Sequence, residues 1–179
     1  MARLFAFLRA INVGGHTVTM LKLRKIFEDL GFDDVETFIA SGNVIFSSPS
    51  KAVGPLERTI EGALKTALGY EVKAFIRTAP ELVAISGHKP FPEARIRSAG
   101  AFCIGFLAQP LDAAAKKALM ALKTDIDDFH VHGREVYWLC KQRQHESKFS
   151  NVRFEKATGA KVTFRGANTV AKLAAKAHA

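Results

Sequence analysis

Arg3-Leu4-Phe5-Ala6-Phe7-Leu8-Arg9 runs without interruption into Ala10-Ile11-Asn12-Val13-Gly14-Gly15, and a helical pattern begins at about Met20. Side chains alternate along an extended chain, so Leu4, Ala6 and Leu8 share one face of a strand and Phe5 and Phe7 the other. A strand that is apolar on both faces is covered on both sides, which makes this one central to its sheet. The strand then breaks on two adjacent glycines. These let the backbone take φ > 0 and let another group approach closely, and the helix start that follows offers unpaired N–H donors with a partial positive charge. The strand-to-helix corner is therefore a candidate anion seat. Neither G-x-G-x-x-G nor G-x-x-x-x-G-K-[ST] is present, so it is neither a dinucleotide fingerprint nor a P-loop.

Outward from this corner, Leu23, Ile26, Phe27 and Leu30 recur at helical spacing behind a Thr17 or Thr19 cap, and Gly31 ends the run. Val35 to Ala40 and Val44 to Ser47 read as strands joined by Ser41-Gly42-Asn43, a polar glycine-containing link that favours a hairpin. Leu56, Ile60, Leu64 and Leu68 form a second helical stripe, opened by Pro55 and closed at Gly69, and Val72 to Ile76 returns as a strand. The order β-α-β-β-α-β is that of a ferredoxin-like unit. After a short helix at about Pro80 to Ser86 and the link Lys89-Pro90-Phe91-Pro92, the order starts again. A strand at Ala101 to Leu107 precedes a helix capped by Asp112, two strands at Asp128 to His132 and Glu135 to Cys140 meet across Gly133-Arg134, and helices follow at about Ser147 to Ala157 and Thr169 to Ala177. The last strand is weak or is supplied by Lys161 to Phe164. The expected architecture is α+β: two tandem ferredoxin-like units with antiparallel sheets, a duplication of about 85 residues per copy, packed together. The expected domains are 1–88, and 89–179 with its basic C-terminal helices.

The chain has 179 residues, 48% of them apolar and 24% charged, the profile of an ordinary globular protein. No apolar run approaches the 20 or so residues of a membrane span, and the N-terminus lacks the features of a signal peptide, so a cytoplasmic protein with no membrane partner is expected. Cys103 and Cys140 lie in apolar runs and read as buried free thiols. The formal charge of +9 is uneven: nine Lys or Arg and two Glu lie after Cys140. Such a concentrated positive field suits a polyanionic or phosphorylated partner, or serves solubility alone.

Leu8-Arg9-Ala10-Ile11-Asn12-Val13-Gly14-Gly15, with Met20-x-x-Leu23-Arg24 and Phe38-Ile39-Ala40-Ser41-Gly42-Asn43-Val44-Ile45-Phe46, resembles the bacterial family of the domain of unknown function 1697. The likeness extends to Ser147-Lys148-Phe149-Ser150-Asn151 and to Thr163-x-Arg165-x-x-Asn168-Thr169-x-x-Lys172-Leu173. No single motif is specific, but their co-occurrence in order is. The resemblance implies two tandem ferredoxin-like units and brings no activity, cofactor or catalytic set. Two departures stand out. Ala10 replaces the family's usual glycine, and Gly166-Ala167 replaces its asparagine-tryptophan pair, which removes an aromatic platform at that point.

The candidate anion-binding residues are Arg9, Asn12, Gly14, Gly15, Ser41, Gly42 and Asn43 around the first corner, and Arg165, Asn168, Thr169 and Lys172 at the start of the last helix, where Asn168 is placed to cap. The expected ligand is phosphate-bearing, nucleic acid ahead of a phosphorylated small molecule, bound through helix N-termini and a basic C-terminal face of Lys161, Arg165, Lys172 and Lys176. The alternatives are an enzyme acting on an anionic small molecule in a polar cleft and a protein-interaction module. Phe5, Phe7 and Phe46 are expected to pack beneath the second half rather than to stack on bases, since an open sheet would expose a large apolar patch. Ser147 beside Lys148 reads as a helix cap. His130-x-His132 puts two imidazoles on one strand face, but a metal needs three or four convergent ligands, so no metal and no cofactor is expected. His16 has no partner carboxylate or nucleophile identifiable by spacing, and G-x-S-x-G is absent.

Overall fold

The computed structural model describes residues 1–12, 14–39 and 42–178. By contacts the chain divides into unit 1, Met1–Val83 with the stretch from Leu173 onward, and unit 2, Ala84–Lys172.

Unit 1 runs β1 (Ala2–Arg9), α1 (Met20–Asp29), β2 (Asp33–Thr37), β3 (Asn43–Ser48), α2 (Val53–Leu68) and β4 (Lys73–Thr78). The antiparallel sheet has the order β2-β3-β1-β4, with β1 central as its two-faced apolar pattern requires. Leu4, Ala6 and Leu8 meet Leu23, Ile26 and Phe27 of α1 and Leu56, Ile60 and Leu64 of α2 in one core. Burial of each large side chain contributes roughly 1.5–3 kcal/mol. Helix α1 starts where the Thr19 hydroxyl accepts the Lys22 N–H, and α2 stops at Gly69, whose left-handed φ of 81° lets its N–H reach Lys65 O. Phe5 and Phe7 are 1% and 0% exposed, which leaves no open aromatic sheet face for bases. Phe46 differs from expectation. It lies on the helix-covered face against Phe27 and Phe32, because strand alternation puts it in register with Leu4.

Helix α3 (Ala79–Gly87) crosses the division, and α4 (Glu93–Ser98) opens the second unit's ladder of β5 (Ala101–Phe106), α5 (Ala113–Met120), β6 (Asp127–His132), β7 (Glu135–Cys140), α6 (Asn151–Thr158) and β8 (Thr163–Gly166). The sheet order β6-β7-β5-β8 repeats that of unit 1, so the chain is two ferredoxin-like β-α-β-β-α-β units in tandem. The final strand is real and pairs with β5. Helix α7 (Ala167–Ala175) follows it directly. Cys103 and Cys140 are free and buried in the unit 2 core, where burial pushes the Cys103 thiol up to about 12.

Candidate functional site

At the end of β1 two loops of unit 1 meet. The Leu8 N–H donates to Gly42 O at 2.9 Å, and a Cβ on Gly42 would stand 2.9 Å from Ile11 Cγ2, so only glycine lets the β2–β3 link lie against the β1–α1 corner. Gly42 has φ 82°, and Gly14 and Gly15, both exposed, have φ 60° and 82°. Three non-glycine residues among those described also take positive φ, and two of them flank this junction: Ala10 at 61° and Ile39 at 64°. For a β-branched residue that conformation is a true outlier, held at roughly 1–3 kcal/mol. Ile39 is also 45% exposed, so no burial of its side chain explains the strain.

The polar side chains hold this geometry. Asn12 Oδ1 accepts the Val18 N–H at 2.9 Å, and Asn43, almost fully buried, donates through Nδ2 to Phe38 O at 3.0 Å while its own carbonyl accepts the Phe38 N–H. Both asparagines therefore shape loops. Arg9 is half-buried at the strand end, in register with Lys73. Tyr70 donates its hydroxyl proton to Ile11 O and stacks on His16 with ring centroids 4.2 Å apart. Ser41 lies outside the described residues.

Arg165, Asn168, Thr169 and Lys172 belong to unit 2. Helix α7 begins at Ala167, so Asn168 and Thr169 sit within its first turn. Arg165 turns inward: it is 8% exposed, its Nη1 donates to Thr163 Oγ1 at 2.6 Å and to Phe164 O at 2.9 Å, and burial lowers its pKa to about 10. Arg77 is its counterpart in unit 1. Arg77 follows Ile76 as Arg165 follows Phe164, pairs with β1 as Arg165 pairs with β5, and donates Nη1 to the preceding carbonyl. The shared letters Arg-x-Ala at each strand end were the signal available for this. Other C-terminal cations are also engaged. Lys161 pairs with Glu155, and Lys176 pairs with Glu36 and lies over the Phe38 ring.

Ser147 is not the N-cap of α6. Ser150 caps α6 by accepting the Arg153 N–H, while Ser147 donates to the buried Asp127 carboxylate, which also accepts the Trp138 indole N–H at 2.8 Å and the Thr124 hydroxyl. This is a satisfied buried carboxylate and not a catalytic dyad. The histidines gain a member that sequence reasoning missed. His88, just past α3, comes to His130 and His132 of β6, and one ring nitrogen from each lies within 4.8 Å of the others.

The fold and these loops define a tandem ferredoxin-like α+β protein with a strained glycine corner in its first unit. The chain belongs to the family described as "Protein of unknown function (DUF1697)", whose model matches residues 1–137. The C-terminal motifs lie beyond the matched stretch. Among solved structures, the chain is similar to one titled "The structure of conserved bacterial protein SP0830 from Streptococcus pneumoniae", at 22% identity and a TM-score of 0.74, covering 100% of this chain and 99% of that one. That likeness concerns the fold. A search of curated proteins finds no match. Among the described residues, no helix is long and apolar enough to cross a membrane.

Proposed function

We propose that the protein binds a compact phosphate-bearing ligand at the glycine corner of unit 1. The observation that carries this reading is the left-handed backbone of Ala10 and Ile39 beside Gly14, Gly15 and Gly42. Strain of this kind persists only where surrounding structure enforces it, and it collects at ligand sites. Thr19 and Asn12 already take the Lys22 and Val18 N–H groups. The donors assigned to the anion are accordingly the backbone N–H groups of Gly14 and Gly15, with Arg9 supplying charge. Asn12 and Asn43 position the two loops, and Gly42 lets the β2–β3 link approach the corner.

A small phosphorylated molecule fits better than a nucleic-acid backbone. Of the four cations at 161, 165, 172 and 176 that could track phosphates, Lys161 and Lys176 are paired with carboxylates and Arg165 is buried. Arg165, Asn168, Thr169 and Lys172 stand as a second, weaker reading, which rests on the exposed start of α7.

The test is competition binding on the intact protein. A nucleoside monophosphate and a single-stranded RNA oligonucleotide are titrated at low and moderate salt against the unaltered chain, Arg9→Ala and Lys172→Ala. The nucleotide is expected to bind with weak salt dependence and to be lost with Arg9→Ala. RNA binding that falls steeply with salt and is lost with Lys172→Ala would replace this reading by a backbone-tracking one.

A further inference from the structure

The three imidazoles of unit 2 form a site of their own, independent of the phosphate reading. His130 and His132 are two apart on β6 and so share a face, opposite the one that carries Phe129 into the unit 2 core. His88 enters from the chain after α3. Its ring centroid lies 4.1 Å from that of His132 and 5.5 Å from that of His130. The Tyr137 ring flanks it at 5.2 Å, with the Tyr137 hydroxyl tied to Ile85 O, and the Phe91 ring meets His130 edge-on. The cluster is therefore walled by aromatic groups, while His132 is exposed and leaves a route from solvent.

His88 Nε2 is the decisive atom. Among the described residues it is the buried side-chain nitrogen or oxygen that has no hydrogen-bond partner. Leaving such a group unsatisfied is costly, which a bound ion would relieve. Three imidazoles suit the borderline first-row ions, above all zinc.

We propose that His88, His130 and His132 bind one divalent transition-metal ion, with zinc the preferred occupant. Zinc–imidazole bonds of 2.0–2.1 Å place tetrahedral ligand nitrogens about 3.4 Å apart, so nitrogens now within 4.8 Å need to approach by no more than about 1.4 Å. Three protein ligands leave a fourth position for water or an anionic group. Glu135 is the cross-strand partner of His132 and shares its face, which puts a carboxylate directly across from His132.

The test is calorimetric titration of metal-free intact protein with zinc in a phosphate-free buffer. The expected result is one ion per chain, with affinity reduced about 100-fold or more by His88→Ala, His130→Ala or His132→Ala and unchanged by His145→Ala. No binding, or binding indifferent to His88→Ala, overturns the proposal, as does loss of binding with His145→Ala. Should a histidine variant fail to fold, cobalt(II) added to the unaltered protein decides. Intense visible absorption of a four-coordinate centre, with the side-chain nitrogens of His88, His130 and His132 perturbed in NMR spectra, supports the site. The weak spectrum of a six-coordinate aqua ion sinks it.

Discussion

Gly42→Ala probes the corner directly, because its cost can be worked from distances. The residue holds φ 82°, and the added Cβ would meet Ile11 Cγ2 at 2.9 Å, Leu8 Cβ at 3.2 Å and Leu8 O at 3.4 Å. The left-handed conformation alone costs an L-residue roughly 1–2 kcal/mol. Forcing a methyl into packed surroundings adds about 1–3 kcal/mol, since Leu8 and Ile11 are both buried and have little room to yield. The total is about 2–5 kcal/mol. Gly15→Ala is the matched control: it has the same φ of 82°, with nothing within 4 Å of its Cβ. It carries the conformational penalty, reduced by about 0.4–1 kcal/mol through the stiffer unfolded chain. Urea unfolding followed by far-UV circular dichroism measures both variants. Trp138, the only tryptophan, follows unit 2 separately by fluorescence. Gly42→Ala is expected to cost about 1–3 kcal/mol more than Gly15→Ala. Equal costs, within about 0.5 kcal/mol, would mean that the two loops do not meet as described.

Asp127→Ala strands the Trp138 indole N–H and frees Ser147 and Thr124, and should cost about 3–5 kcal/mol by Trp138 fluorescence; a loss below about 1 kcal/mol would show the carboxylate network to be idle. Lys176→Ala removes a contact to Glu36 and a ring contact to Phe38, so it should destabilise unit 1 by about 1 kcal/mol, whereas exposed Lys172→Ala stays within about 0.5 kcal/mol; the reverse order in thermal melts would refute the assignment. His88 binds its proton more weakly folded than unfolded, so the unfolded state takes up more protons and stability falls as pH drops through about 6.5 toward the folded value. In the absence of metal, the urea midpoint should therefore fall less on acidification in His88→Phe than in the unaltered protein, and parallel pH profiles would contradict this.

The fold was legible because its signals are local. β1 shows a two-faced apolar run, the α1 and α2 stripes recur at helical spacing, and Gly31 and Gly69 stop them, all of which a linear reading detects. What it missed depends on faces and on distant neighbours. Phe46 could be assigned a face only once its register with Leu4 was known. Ser147 and Ser150 are equally good caps by type, and the buried Asp127, 20 residues away, drew Ser147 off the helix. Arg165 looked like a surface cation because arginine usually is one, while its burial follows from its place in β8. His88 is far in sequence from His130-x-His132, so the pair alone could not show three ligands converging. The glycines of the corner were visible and the family's usual glycine at position 10 was a signal for the positive φ of Ala10, but nothing in the residue type of Ile39 signals one.

The proposal that a phosphate-bearing ligand seats on the glycine corner is tested most directly by titrating uniformly ¹⁵N-labelled intact protein with inorganic phosphate at moderate salt. Saturable shifts of the Gly14 and Gly15 amides and of the Arg9 side-chain N–H, converging on a single dissociation constant, are the predicted result. Shifts confined to the α7 start at Asn168, Thr169 and Lys172, or no saturable shift at all, would contradict it.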